Sequence, residues 1–371
     1  VGPIVITGGG TGGHIFPMQA ISEALVASGV DPEDLRFVGS RRGQEATLLG
    51  TGAVSLTLLP GRGIRRSLEP GALLANLAAL FGLLGAVVIA LVRVRQWRPS
   101  VVVSAGGYAS FAVSLAAFVW RCPLVLVELD AVPGAAHRFF LRYAAYRCTA
   151  FSSSEPRTVF TGAPLREVIV AVDRSNESRR DACSAMQPPI DPSRTIVVVM
   201  TGSLGATRVN RAVSELARKW SERGDIAIVH VSGRRDYDEI VSRAPELHTL
   251  DYRIIAFGDM GELWRLCDVA VCRSGATTVA ELTALGIPSL LVPLPHAPGD
   301  HQTKNAQALA EHGAALVVAD AQCDAETLAK LIEEIAQPLT RSRMADAAKS
   351  LGHLDSSARI AQVVLDARSN S

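Results

Sequence analysis

CRSGATTVAELTALGIPSLLVPLPHAPGDHQTKNA, residues Cys272 to Ala306, is the stretch whose reading decides the fold. It runs from a strand end through a Ser-Gly turn into a helix, then an apolar strand, a Pro-rich loop and a second helix. That is one βαβ crossover plus the helix after it, a unit that presents polar groups at the carboxyl ends of its strands. Ser274 and Gly275 precede the first helix. Backbone N–H groups and the positive end of the helix dipole hold a phosphate or diphosphate at such a place without a metal. Glu281 stands among Val279, Ala280 and Leu282, where a carboxylate needs donors such as the hydroxyls of a ribose. His301 and Gln302 open the next helix, with Asn305 one turn later. Singly these are ordinary residues, Ser274 an N-cap and Glu281 a solvated helix face. Together they describe a pocket for a sugar nucleotide.

A chain of 371 residues is long enough for two domains with a core each. Lys+Arg number 37 and Asp+Glu 36, so no global field argues for nucleic acid as a partner. The six cysteines, at 122, 148, 183, 267, 272 and 323, show no CxxC spacing and lie mostly in apolar runs, which suits reduced, buried thiols better than zinc. The sequence enters a strand at once without a charged leader, so no secretory signal is expected.

Outward from the first stretch, the same strand, glycine turn, helix plan recurs. Pro3 to Thr7 read as a strand, followed by the turn Gly8 to Gly13 with Thr11 and Gly12 in it, then His14 and a helix from Met18 to Ser28. The second strand, LRFVG, ends in Ser40-Arg41-Arg42 rather than in the acid that a dinucleotide fold places on the ribose of NAD, leaving an NADP oxidoreductase as a weak rival. His14, near a helix N-terminus, is expected to stay neutral and able to accept a proton. The strand from Val101 leads to a second glycine turn with Tyr108, and PLVLVELD ends in the carboxylates Glu128 and Asp130. A polar, Pro-bearing linker covers 165–194, after which strand Ile196 to Met200 meets the turn Thr201 to Ala206, containing Ser203 and Gly205. The domains are therefore expected at 1–164 and 195–350, with a C-terminal helical segment, 351–371, returning to the first half. Both halves are α/β with parallel sheets.

Leu73 to Val92 has only Asn76 polar in twenty residues and is followed by Arg93, Arg95, Trp97 and Arg98. It meets the length criterion for a membrane span. Its place inside an alternating α/β pattern favours helices partly packed on the sheet and partly exposed, an arginine-ringed apolar patch that docks on anionic lipid.

With these motifs in order, GGGTGGHIFP, GGYAS, GAPLR, TGSLGA and CRSGATTVAE through DHQTKNA, the chain resembles the MurG family, the UDP-N-acetylglucosamine:lipid I N-acetylglucosaminyltransferases of bacterial peptidoglycan synthesis, in glycosyltransferase family 28. The resemblance covers nearly the whole length. It implies a GT-B fold, two Rossmann-like domains facing a central cleft, with UDP-GlcNAc held by the C-terminal domain and an undecaprenyl-diphosphate-linked acceptor by the N-terminal one. It implies that Ser203 and its turn contact the diphosphate, Arg166 the uridine side and Glu281 the ribose. His301, Gln302 and Asn305 then serve the donor sugar, and His14, Tyr108 and Glu128 the acceptor. No obligatory metal is expected, and the place implied is the cytoplasmic face of the cell membrane, peripherally. The sequence departs from the family where Glu128-Leu129-Asp130 replaces Glu-Gln-Asn, Leu204 replaces Gln and Ala163 replaces Asn.

The expected reaction is transfer of GlcNAc to the C4 hydroxyl of the acceptor's MurNAc with inversion, in one in-line displacement. His14 is the candidate base, with Glu128 and Asp130 in reserve, and helix N-termini at Ser203 and Ser274 plus Arg166 meet the leaving-group charge. The altered motif at 128–130 keeps two rivals open, a transferase with another acceptor and a non-catalytic UDP-sugar-binding protein.

Overall fold

A computed structural model of the chain describes residues 2–9, 12–41, 54–61, 70–202 and 205–369. It divides into two compact units, Val1–Glu167 with Leu354–Ser371, and Val168–His353. In the first, β1 (Ile4–Thr7), α1 (Gly12–Ala27), β2 (Leu35–Ser40), β3 (Ser55–Leu59), α2 (Pro70–Trp97), β4 (Val101–Ser104), α3 (Tyr108–Val119), β5 (Leu124–Glu128), α4 (Ala135–Arg138), β6 (Tyr146–Thr149) and β7 (Thr158–Phe160) follow one another. The seven strands form one parallel sheet in the order β3-β2-β1-β4-β5-β6-β7. The order reverses direction between β1 and β4, and at such a switch point the two outgoing loops diverge and leave a crevice at the strands' carboxyl ends.

The second unit holds α6 (Asn176–Ala185), β8 (Thr195–Met200), α7 (Thr207–Lys219), β9 (Ile226–Val231), α8 (Tyr237–Ser242), β10 (Asp251–Ile255), α9 (Met260–Leu266), β11 (Val269–Cys272), α10 (Ala276–Leu285), β12 (Ser289–Leu291), α11 (His301–Ala310), β13 (Ala315–Val317), α12 (Ala325–Ala336) and α13 (Pro338–Leu351); a short helix, α5 (Glu167–Val170), leads into it. Its six strands are also parallel, in the order β10-β9-β8-β11-β12-β13, with the switch between β8 and β11. The last helix, α14 (Ser356–Ser369), packs on α1 in the first unit, where the Ser357 hydroxyl donates to the Leu165 carbonyl at 2.8 Å and accepts from the Leu165 N–H at 2.9 Å.

The strands are legible because a parallel sheet covered on both faces buries every side chain, so its strands are unbroken apolar runs. Val101 to Ser104 and Ile196 to Val199 are buried throughout. Each run ends at a glycine turn, where the backbone leaves the sheet. One boundary differs from the sequence reading. The first helix starts at Gly12 rather than Met18 and runs through Pro17, which forfeits one backbone hydrogen bond without ending the helix, so His14 lies in the first turn.

Residues 73–92 belong to one helix, α2, not to several. Ala79, Ala86, Ala90 and Val94 are buried, while Leu80, Phe81, Leu84, Val88 and Val92 are exposed, an apolar strip at helical spacing. Ala79–Trp97 is long and apolar enough to cross a membrane. Arg93, Arg95 and Arg98 are exposed around its end, and Arg95 lies over the Trp120 ring at 4.8 Å. Exposed Phe118, Val119 and Trp120 extend the strip onto the end of α3. All six cysteines are free and buried, and burial pushes Cys148 and Cys267 up to about 12.

Candidate functional site

In the first unit the turns after β1 and β4 touch. A Cβ on Gly107 would stand 2.2 Å from the Gly9 carbonyl oxygen, and Gly107 has φ +89°, so only glycine closes this contact. The closure brings His14 to β4, where its Nδ1 lies 3.1 Å from the Ala105 carbonyl. Because a carbonyl only accepts, Nδ1 carries the proton and Nε2 carries the lone pair of an acceptor or base. Tyr108 opens α3 beside Gly61 and Gly82. Its hydroxyl is buried with no hydrogen-bond partner among the described residues, and burial raises its pKa above the ordinary phenol value.

Glu128 ends β5 with a side chain only 5% exposed. Its Oε2 accepts from the Gly134 N–H at 3.4 Å and lies 3.3 Å from His137 Nδ1, whereas Oε1 is buried without a partner among the described residues. His137 was absent from the sequence reading. It sits nine residues beyond Glu128 across a loop, and no periodicity marks it. Asp130 is half-buried, and Leu129 between the two acids is buried, as is Ala163. Two of the positions where the chain lacks a family amide are thus core positions that an apolar side chain fills. Arg166 stacks its guanidinium over the Phe16 ring at 4.2 Å. Gly12 and Gly13 form the start of α1, and Thr11 lies outside the described residues.

In the second unit the turn after β8 holds Gly202 and Gly205, both at positive φ, with the Gly205 N–H donating to the Gly202 carbonyl at 3.0 Å. Ser203 and Leu204 lie outside the described residues. A Cβ on Gly205 would meet the Ser232 carbonyl at 2.7 Å and Asp236 Oδ2 at 2.8 Å, so the turn is seated on β9's outgoing loop. A buried network holds that seat. Asn210 donates to the Ser232 carbonyl and to Asp236 Oδ2, each at 2.9 Å, and its own carbonyl lies 2.9 Å from His230 Nε2. His230 Nδ1 is 2.9 Å from the Tyr252 hydroxyl, and burial lowers the imidazole to about 3, so it is neutral. Asp236 begins the chain's Asp-x-Asp triplet, Asp236-Tyr237-Asp238, the usual device for a metal-bound sugar diphosphate. Arg235, Thr207 and Asn210 all donate to Asp236, Arg235 foremost in holding its carboxyl below the ordinary value, so this acid braces the turn.

The turn after β11 is pinned differently. Ser274 is fully buried and its hydroxyl donates to the Gln302 carbonyl at 2.8 Å, while Asn305 donates to the Ser274 carbonyl at 3.1 Å. The Gln302 amide oxygen accepts from the Leu294 N–H at 3.0 Å. Ser274 and Asn305 therefore fasten the start of α11 to the start of α10, and Gln302 fastens it to the loop after β12. Gly275 is the N-cap of α10, no side chain caps it, and beyond its chain neighbours no atom of the described residues stands within 4 Å of where its Cβ would be. That is an uncrowded helix N-terminus at the switch point, suited to a phosphate. Glu281 is buried on α10, where the indole of fully buried Trp264 donates to its Oε2 at 2.8 Å. His301 Nδ1 lies 2.8 Å from the Pro298 carbonyl at the start of α11.

The described residues thus bring His14, Glu128 and Tyr108 to the carboxyl edge of the first sheet. Gly205, Ser274, Gly275, Gln302 and Asn305 gather at that of the second.

Comparison with known proteins covers both units. Models of the glycosyltransferase family 28 N-terminal domain and C-terminal domain match residues 4–147 and 196–362. The chain is 34% identical over 366 residues, 94% of each chain, to a Desulforudis audaxviator protein. It is 35% identical over 365 residues, 97% of this chain and 98% of the other, to one from Exiguobacterium. Both relatives are described as UDP-N-acetylglucosamine–N-acetylmuramyl-(pentapeptide) pyrophosphoryl-undecaprenol N-acetylglucosamine transferase. Among solved structures, Acinetobacter baumannii MurG superposes with a TM-score of 0.76 at 24% identity, covering 99% of this chain and all of that one, which establishes the shared two-domain fold.

Proposed function

The chain belongs to glycosyltransferase family 28 and, within it, to the undecaprenol-linked N-acetylglucosamine transferases of peptidoglycan synthesis, and from that premise we propose how its residues carry the reaction. The enzyme moves GlcNAc from UDP-GlcNAc to the C4 hydroxyl of MurNAc in undecaprenyl-diphosphate lipid I, giving lipid II. The observation that carries the assignment is identity spread over both units with relatives of one activity. The oxidoreductase reading falls with it.

The first unit, with residues 1–164, serves the acceptor, and 195–350 serve the donor. His14 is the base. With Nδ1 protonated toward the Ala105 carbonyl, Nε2 has the basic lone pair that takes the proton of the attacking hydroxyl. Glu128, Asp130 and the Tyr108 hydroxyl meet the acceptor sugar; buried polar atoms without partners among the described residues, such as Glu128 Oε1 and the Tyr108 hydroxyl, are satisfied when a ligand supplies them. On the donor side, the turn with Ser203 and Gly205 and the helix start at Ser274-Gly275 receive the diphosphate. Their dipoles stabilise the departing UDP, together with Arg166. Glu281, held by Trp264, accepts from the ribose hydroxyls, and His301, Gln302 and Asn305 line the donor-sugar side. Displacement in line at the anomeric carbon inverts its configuration.

The enzyme is associated with the membrane peripherally. The exposed face of α2, with Leu80, Phe81, Leu84 and Val88 and the flanking arginines, lies on the anionic cytoplasmic surface where the lipid acceptor is presented.

The test is UDP release from UDP-GlcNAc with and without a lipid I analogue, in detergent and without added metal. Acceptor-dependent release is expected. Tight donor binding with no turnover under any acceptor would overturn the assignment.

A further inference from the structure

One buried histidine beside Glu128 has no part in the scheme above. His137, on α4, is only 2% exposed and stands between two buried residues from neighbouring strands. Ser104, the last residue of β4, has its hydroxyl 2.8 Å from His137 Nε2. Glu128, the last residue of β5, has Oε2 3.3 Å from Nδ1. The chemistry fixes the roles. A carboxylate offers only acceptors, so Nδ1 carries a proton toward Glu128, and Nε2 then accepts from the Ser104 O–H. The order is Ser–His–Glu, but Ser104 is fully buried and out of reach of a substrate, so nucleophilic catalysis is excluded. A buried imidazole fixed at one nitrogen by a hydroxyl instead sets the direction from which a carboxylate is held.

The cluster adjoins the candidate base. Gly106, immediately after Ser104 and Ala105, would place a Cβ 3.2 Å from His14 Cε1 and 3.9 Å from His137 Cε1, so both imidazoles flank one glycine. The other charged side chain on α4, Arg138, is exposed and donates to the Pro133 carbonyl at 3.3 Å. The Nδ1–Oε2 approach is of ion-pair length and completes no aligned hydrogen bond, which leaves the contact able to tighten when a ligand engages the carboxylate's other oxygen.

We infer that His137 is a positioning residue for the transfer: seated between Ser104 and Glu128, it holds the Glu128 carboxylate in the one orientation that meets the acceptor hydroxyls beside His14. The inference rests on the reading of Glu128 as an acceptor contact and adds the group that aims it.

The experiment is a double-mutant cycle with steady-state kinetics, varying lipid acceptor and UDP-GlcNAc separately. His137→Leu should lower kcat/KM for the acceptor by about 10-fold or more and leave the KM for UDP-GlcNAc within about two-fold. His137→Asn, whose amide still donates toward Glu128, should recover most of that loss. Combined with Glu128→Gln, His137→Leu should add no further defect, because its effect passes through the carboxylate. Should His137→Leu not fold, Ser104→Ala carries the same cycle: it removes only the hydroxyl fixing the ring, and its smaller acceptor defect should likewise vanish in the Glu128→Gln background. Defects that multiply in the double variants, or that fall equally on donor and acceptor, overturn the inference. Glu128→Gln with unchanged acceptor kinetics would remove the carboxylate's role and the inference with it, and a wild type without acceptor-dependent UDP release would instead sink the transferase assignment.

Discussion

The two switch points of this enzyme are built on one plan and finished differently. At the edge of the first sheet, two buried polar atoms, Glu128 Oε1 and the Tyr108 hydroxyl, have no partner among the described residues, and His14 Nδ1 meets a carbonyl. At the edge of the second, Ser274, Gln302 and Asn305 are tied to backbone, Glu281 to an indole and Asp236 to several donors. The contrast matches a division of labour. Groups that meet a changing substrate keep unspent hydrogen-bond capacity, whereas dipoles that stabilise a leaving diphosphate work best when fixed beforehand. The first edge is poised and the second is preorganised.

The largest effect that sharpens this contrast is at the base. His14→Ala should reduce kcat by about 10²- to 10⁴-fold, the range expected for general base catalysis, in acceptor-dependent UDP release. A loss below about 10-fold would move the proton to Glu128 or Asp130.

Next come two glycines, one from each edge. Gly107→Ala meets the Gly9 carbonyl at 2.2 Å with φ +89°, and should cost about 3 kcal/mol or more of stability in denaturant unfolding. Gly275→Ala has φ −66° and open space, so it should cost about 1 kcal/mol or less, yet weaken UDP-GlcNAc binding about 10-fold where the methyl meets the diphosphate. Equal stability losses would break the distinction between a glycine that closes a turn and one that leaves room for a ligand.

A smaller effect is expected of Glu281→Gln. Exchange of the carboxylate for an amide keeps the shape and the contact to Trp264, so the KM for UDP-GlcNAc should rise about 10-fold with kcat little changed. A kcat effect without a KM effect would contradict the ribose contact.

A last effect, read on stability rather than on activity, is the pH dependence of the brace of the donor turn. Burial holds His230 neutral, with a pKa lowered from 6.5 to about 3. The unfolded chain takes up this proton below its ordinary value and the folded chain does not, so stability present above about pH 6.5 is lost as pH falls toward 3, by up to about 1.4 kcal/mol per unit. His230→Gln should flatten that part of a stability-against-pH curve; an unchanged slope would mean other groups carry it.

The fold was legible because each strand is an apolar run that ends at a glycine turn, and a doubly covered parallel sheet requires both. The start of α1 was not, since Pro17 suggested a boundary that the helix runs through. Candidate residues were legible where they flank glycine turns, as His14 and Ser274 do. What escaped is what tertiary structure alone brings together. Trp264 reaches Glu281 from a different helix, His230 meets Asn210 and Tyr252 from a neighbouring strand and helix, and His137 meets Glu128 across a loop. Asp236-Tyr237-Asp238 shows the opposite hazard, a motif with a familiar chemical spacing that here fastens a turn.

The division between a poised and a preorganised edge is tested most directly by calorimetric titration of UDP-GlcNAc into the His14→Ala enzyme, alongside its transfer rate. The account predicts donor affinity within about two-fold of wild type while transfer is lost. Donor affinity that falls in step with the rate, or a rate that survives, would contradict it.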